Sequence, residues 1–235
     1  MGARRVGVGL FALVLVAGGL VVADRLAAGA TADAAARQIS ATFQGVVGTP
    51  EVTIGGFPFL TQLLAGQLTD VGARIEGLTF DGLAVTGVEV DAAGVSTTTP
   101  YRVDRAELTA TLPLASVQQL IAAKTGLEVT LATAGSGLAA TTTVLGLTVT
   151  ATLVPRVDAG AIRVDVASVT LGGRTIEVAD LPGGIGDRLR DLTIPVTGLP
   201  PGIALAGVSV TDRGVRITAT GRDVVLAAVA ARPPA

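Results

Sequence analysis

Six serines, one lysine and a few paired carboxylates are the groups in this sequence that conventional hydrolytic catalysis would have to use, because it contains no His and no Cys. Ser40, Ser96, Ser116, Ser136, Ser168 and Ser209 all lie outside a Gly-x-Ser-x-Gly elbow, and no imidazole is present to activate any of them. A Ser–Lys arrangement would depend on Lys124, at the end of an expected helix. Asp187 and Asp191 stand one helical turn apart, a spacing that solvated helix faces show routinely. A zinc site built from Cys and His is ruled out. The expectation is therefore a non-enzyme with no catalytic residue, no metal and no cofactor, and a lipid esterase is the weaker alternative.

Composition excludes a second class. A net charge of −2, a pI near 5.1 and 3% aromatics leave neither a basic surface for phosphates nor platforms for stacked bases, so no nucleic-acid partner is expected. What remains is apolar: 49% hydrophobic residues, a mean hydropathy of +0.65 and 15% charged residues, against about 25% in an ordinary soluble domain. Such a chain has apolar surface available for something other than its own core. An Ala/Gly/Val-rich chain from GC-rich coding, suggested by Lys124 being the only Lys among 17 basic residues, gives the same composition.

The elements that position these residues begin with a targeting segment. Arg4 and Arg5 precede an uncharged run from Val6 to Ala23. A basic start followed by an apolar stretch is the pattern of a secretory signal, and Val21-Val22-Ala23 offers small residues for cleavage before Asp24. At 1.5 Å per residue the run spans about 27 Å, so an uncleaved membrane anchor fits equally. Residues 1–23 are assigned as signal peptide or anchor, 24–222 as one elongated domain and 223–235 as a tail. Export to the periplasm or cell envelope is expected.

Asp24 to Phe43 is Ala-rich and reads as a helix with a thin apolar face of Leu26, Ile39 and Phe43. Pro58 suits the first turn of a short helix with Leu60, Leu63 and Leu64 on one side, stopped by Gly66. Ser116-Val117-Gln118-Gln119 has the form of a capping box opening a second short helix that ends at Gly126, and a third is predicted over Ile185 to Leu192. Between them the pattern has period two: Leu108, Ala110, Leu112; Leu127, Val129, Leu131; Leu147, Val149, Ala151, Leu153; Ile162, Val164, Val166. That alternation marks antiparallel strands with one apolar face. Asp212-Arg213-Gly214 reads as a hairpin turn. The segment Gly82–Val95 aligns without gaps on Gly202–Val215, which is either an internal repeat (57–95 and 181–215) or convergent strand-turn patterning. The fold class is α+β, with about eight to ten strands.

Thr53-Ile54-Gly55-Gly56-Phe57-Pro58-Phe59-Leu60-Thr61-Gln62-Leu63-Leu64-Ala65-Gly66, with the Asp24-Arg25 pair on the preceding helix, resembles the actinobacterial LmeA-like family of envelope proteins. The resemblance runs from Asp24 to about Arg222, and its distinctive part is Ile54 to Gly66. It implies a membrane-associated phospholipid-binding protein that supports the making of mannosylated glycolipids. It also implies an architecture similar to tubular lipid-binding modules, a long curved antiparallel sheet wrapped around a few short helices. It carries no catalytic residue across.

The leading expectation is thus a non-enzymatic phospholipid- or glycolipid-binding protein that meets a membrane. Phe57, Pro58, Phe59, Leu60, Leu63 and Leu64 are the candidate lipid-binding residues, lining a groove or its mouth; the same side chains read otherwise as anchors of the helix in the core. Arg74, Arg102, Arg105, Arg188 and Arg190 are candidates for a head-group phosphate, unranked by sequence. The alternative is an envelope scaffold with no lipid ligand.

Overall fold

The computed structural model describes residues 2–80, 82–126, 128–144, 147–171, 174–177, 192–194, 199 and 201–226, with residues 2–18, 124–125, 144, 147, 171, 176–177, 192–194 and 226 described by backbone alone. The chain opens with α1 (Gly2–Thr42), one unbroken helix of 41 residues. The apolar run and the Ala-rich stretch therefore lie on a single helix of about 60 Å. Its buried face also differs from the expected one. Leu26 is 69% exposed, and the buried positions are Asp24, Ala28, Ala32 and Ala36, with Ile39 partly buried beyond them. A side chain every fourth residue keeps to one face of the helix. Alanines there let the helix backbone approach the sheet closely, at the strands β1 (Gln44–Val47) and β2 (Glu51–Ile54).

After α2 (Phe59–Ala65) come three long strands in a meander, β3 (Gln67–Phe80), β4 (Leu83–Ser96) and β5 (Tyr101–Leu112). The helix α3 (Leu114–Thr125) leads to a second meander, β6 (Thr130–Ala134), β7 (Gly137–Val144), β8 (Leu147–Asp158) and β9 (Ala161–Leu171). Short strands β10 (Arg174–Glu177) and β11 (Leu192–Ile194) both pair with β9. The chain then returns as the hairpin β12 (Ile203–Thr211) and β13 (Gly214–Leu226), with β13 pairing along the whole of β5.

All described pairings are antiparallel, and they form two open sheets, not the single long sheet expected. The first has the order β1-β3-β4-β5-β13-β12, with β2 beside β1 on the same edge of β3; the second has the order β10-β9-β8-β7-β6, with β11 on β9. The break falls at Pro113, which follows β5 directly and caps α3. Proline has no N–H to extend a ladder and is preset for a helix start. Leu131, Leu138 and Val215 form the core shared by the two sheets, with Val117 and Ile121 of α3 and Val208 and Val210 of β12 packed against it.

Curvature has local causes. Register slips mark bulges in β4 between Thr86 and Glu89 and in β12 between Leu205 and Gly207, positions that overlap in the aligned segments. Gly87 takes φ +56 in the first of these, a conformation that costs residues with a Cβ. Beyond the bulge the two segments part company. Asp91–Val95 continues as strand, whereas Asp212-Arg213 forms the β12–β13 turn.

Other sequence readings shift in detail. Ser116 does not cap α3; it lies inside the first turn, buried, and its hydroxyl donates to the Ala84 carbonyl at 2.8 Å, tying α3 to β4. The helix starts earlier because Pro113 supplies the start. The third helix, over Ile185 to Leu192, lies outside the described residues except at Leu192, which begins β11. Of the expected strand residues Val129 and Leu131 only Leu131 is in a strand, and Leu127 lies outside the described residues. At the far end, β13 continues through Leu226, past the residue where the sequence reading closes the domain, and Val224 is fully buried.

Candidate functional site

The motif around Phe57 is built from the helix that precedes it. The Asp24 carboxylate accepts two backbone bonds, from the Phe59 N–H at 2.9 Å and the Leu60 N–H at 2.8 Å. It thereby caps α2 from another element, as an acid at a helix start does, while Pro58 occupies the cap position with no side-chain bond of its own. Burial pushes the Asp24 carboxyl upward, but the Leu60 and Phe59 amides and neighbouring Arg25 outweigh it and hold the group below its ordinary range. Arg25 donates to the Gly56 carbonyl at 3.0 Å and places its guanidinium 5.1 Å from the centre of the Phe57 ring. The Phe57–Pro58 peptide bond is cis.

Gln62 closes the other side. Its amide oxygen accepts from the Thr69 N–H at 2.8 Å and the Thr69 hydroxyl at 3.0 Å, and its nitrogen donates to the Gly55 carbonyl. Gly66 ends α2 at φ +75, the left-handed position the sequence assigned to it.

The six candidate lipid-binding residues divide. Phe59 is 1% exposed and is a core anchor. Pro58 is exposed, as are Phe57 at 56%, Leu60, Leu63 and Leu64, the last at 91%. The Leu60/Leu63/Leu64 stripe, which reads as a packed face, faces outward. A seven-residue helix has one inner side, and here it is taken by Phe59 and Gln62.

An open trough of about 620 Å³ lies on the first sheet. Asp70, Asp91, Glu107, Arg105 and Arg222 surround it. Three carboxylates against two guanidiniums give it no positive balance, so charge alone does not make it a phosphate site. Of the arginines considered from sequence, Arg105 lines this trough, Arg74 pairs with Glu89 at 3.4 Å, Arg102 lies opposite Val225 on the β5–β13 ladder, and Arg188 and Arg190 lie outside the described residues.

The opposite face of these strands is apolar. Val71, Ala73 and Ile75 of β3 stand across from Ala92, Val90 and Val88 of β4, and Ala106 and Leu108 of β5 continue the rows. Ile75 and Val88 are buried, with Ile39 of α1 packed on them. Val71, Ala73, Val90, Ala92, Ala106 and Leu108 are only half-buried. A sheet face of small apolar residues left partly open is unusual where the chain has other residues to cover it.

Ser40 and Ser96 bond to backbone carbonyls, as Ser116 does, and Ser168 bonds to Thr152. No group of three or more potential ligands is placed to hold a metal among the described residues. Nor is any helix, counted over the described side chains, long and apolar enough to cross a membrane; most of the run from Val6 to Ala23 precedes them.

The described residues thus define an α+β protein of open antiparallel sheets, with a half-covered apolar face and an exposed apolar corner clamped by an Asp-Arg pair. The chain belongs to the LmeA-like phospholipid-binding family, whose model matches residues 22–220. No curated protein and no solved structure matches it.

Sequence reasoning singled out the Asp24-Arg25 pair only as part of the resemblance and gave it no role; Gln62 and Arg222 were passed over. A signal for the first was available. Asp24 and Arg25 are the first charges after Arg5, at the end of an apolar run, where a charge needs a reason.

Proposed function

We propose that this protein is a non-enzymatic phospholipid carrier of the cell envelope that holds acyl chains against the apolar face of β3, β4 and β5 beside α1. The observation that carries this reading is the row of half-buried small residues from Val71 and Ala73 through Val90 and Ala92 to Ala106 and Leu108, alongside membership of a phospholipid-binding family. Small side chains leave room for methylenes at no steric cost. Each buried methylene contributes about 0.8 kcal/mol, so ten give roughly 8 kcal/mol. Association costs on the order of 4–15 kcal/mol, so a two-chain lipid is favoured over a single-chain one.

In this reading residues 1–23 export the protein or hold it at the plasma membrane, and the bound lipid or glycolipid serves the assembly of mannan-type lipoglycans. The architecture has the ingredients of a tubular lipid-binding module, with bulged strands curving past a helix. The test is to purify the full-length chain, extract it and analyse the extract by lipid mass spectrometry. Stoichiometric phospholipid or glycolipid is expected, and its head group names the pathway. A folded, lipid-free protein that also takes nothing from added vesicles would overturn the reading in favour of an envelope scaffold.

A further inference from the structure

We infer that α2 and the Phe57 corner form a wedge that seats in the surface of a phospholipid bilayer at the level where α1 emerges from it. This rests on the envelope reading above, in which residues 6–23 meet a membrane. Four large apolar side chains, Phe57, Leu60, Leu63 and Leu64, stand exposed on a segment that has no Asp, Glu, Lys or Arg between Glu51 and Asp70. Exposed apolar clusters of this kind are found where a protein meets another apolar phase.

What identifies that phase as lipid is the position of the cluster on α1. Leu20 and Val21, four and three residues before Asp24 and so on its side of the helix, are also exposed. The clamp fixes the height of the cluster relative to them, since Asp24 holds the Phe59 and Leu60 amides and Arg25 holds Gly56 and the Phe57 ring. The apolar run ends at Ala23, one residue before Asp24, and the helix does not break there. A run of about 27 Å matches the hydrocarbon thickness, so when it fills the bilayer the α2 wedge lies at the interface. Asp24, with both oxygens bonded, and Arg25, over an aromatic ring, are charged groups at that level, and each has its partner in the protein. Charged and aromatic residues with apolar stems are the usual occupants of that layer.

The chain has no Cys, so a single label reports one position. Leu64→Cys carrying an environment-sensitive fluorophore, in the full-length chain reconstituted into phosphatidylcholine–phosphatidylglycerol vesicles, tests the wedge directly; Leu64 is too exposed for the label to disturb folding. Ser136→Cys, in the β6–β7 turn, is the control. The expected result is a blue shift at position 64 and loss of its emission when shallow spin-labelled lipids are included, with position 136 unaffected. Emission from position 64 as water-like as that from 136 would overturn the inference. So would a blue shift that spin-labelled lipid leaves unquenched, which would mark contact with a second protein chain. Lipid content measured on the same protein separates the two proposals. Bound lipid with a water-exposed position 64 removes the wedge alone, and a quenched position 64 without bound lipid removes the carrier reading alone.

Discussion

Phe59 and Leu64 sit five residues apart on one short helix, and the structure gives them opposite roles. Truncating each to Ala measures that difference. Phe59 is 1% exposed, and an aromatic side chain buries roughly 150–250 Å², worth about 4–6 kcal/mol at ~25 cal/mol per Å². Measured large-to-small substitutions narrow this to about 3–5 kcal/mol. In a domain of this size each kcal/mol moves Tm by about 2–4 °C, so Phe59→Ala is expected to lower Tm by about 6–20 °C. Leu64 is 91% exposed, and its loss should stay within about 0.5 kcal/mol, or about 2 °C. Thermal unfolding of the full-length chain in a mild non-ionic detergent, followed by circular dichroism, reads both values. Equal losses of Tm for the two variants, or an unchanged Tm for Phe59→Ala, would refute the division of the motif into a core anchor and a surface wedge.

Three further outcomes are expected. Because the folded Asp24 carboxyl lies below its ordinary value of 3.8, its contribution to stability is complete above that pH and is lost as pH falls through the depressed folded value; the Tm gap between wild type and Asp24→Asn should therefore hold near neutrality and close in acid, and a gap that widens in acid would contradict the capping role. Gly66→Ala forces a Cβ into the left-handed region at φ +75 and should cost about 1–2 kcal/mol, measured by urea unfolding. Ala92→Phe fills the half-open apolar face and should reduce lipid content per protein without lowering Tm, as lipid phosphorus assay and melting on the same sample will show.

The strand residues of this fold were largely legible. Alternation placed Leu108–Leu112, Leu147–Leu153 and Ile162–Val166 in β5, β8 and β9 because each has a wet face of Thr, Arg or Asp beside a dry one. The short edge strands β1, β2, β10 and β11 have three or four residues each, too few for a period to be seen. Division into two sheets was hidden because β5 chooses β13, more than a hundred residues away, over nearby β6. At the site, the helix stop at Gly66 was readable from one residue's backbone freedom. The orientation of Leu60, Leu63 and Leu64 was not, since spacing gives a shared face but not whether that face is covered. Asp24 was opaque for a similar reason. Its partners lie 35 and 36 residues along the chain, and a carboxylate's role as a remote helix cap leaves no local pattern.

The central claim is that acyl chains lie on the apolar face of β3, β4 and β5. A diacyl phospholipid with a photoactivatable group in its acyl chain, bound to the full-length protein, irradiated and mapped by peptide mass spectrometry, tests it most directly. The account expects crosslinks concentrated within residues 71–110, at Val71, Ala73, Val90, Ala92, Ala106 or Leu108. Crosslinks confined to the threonine-bearing face of the second sheet, or none above those to a denatured control, would contradict it.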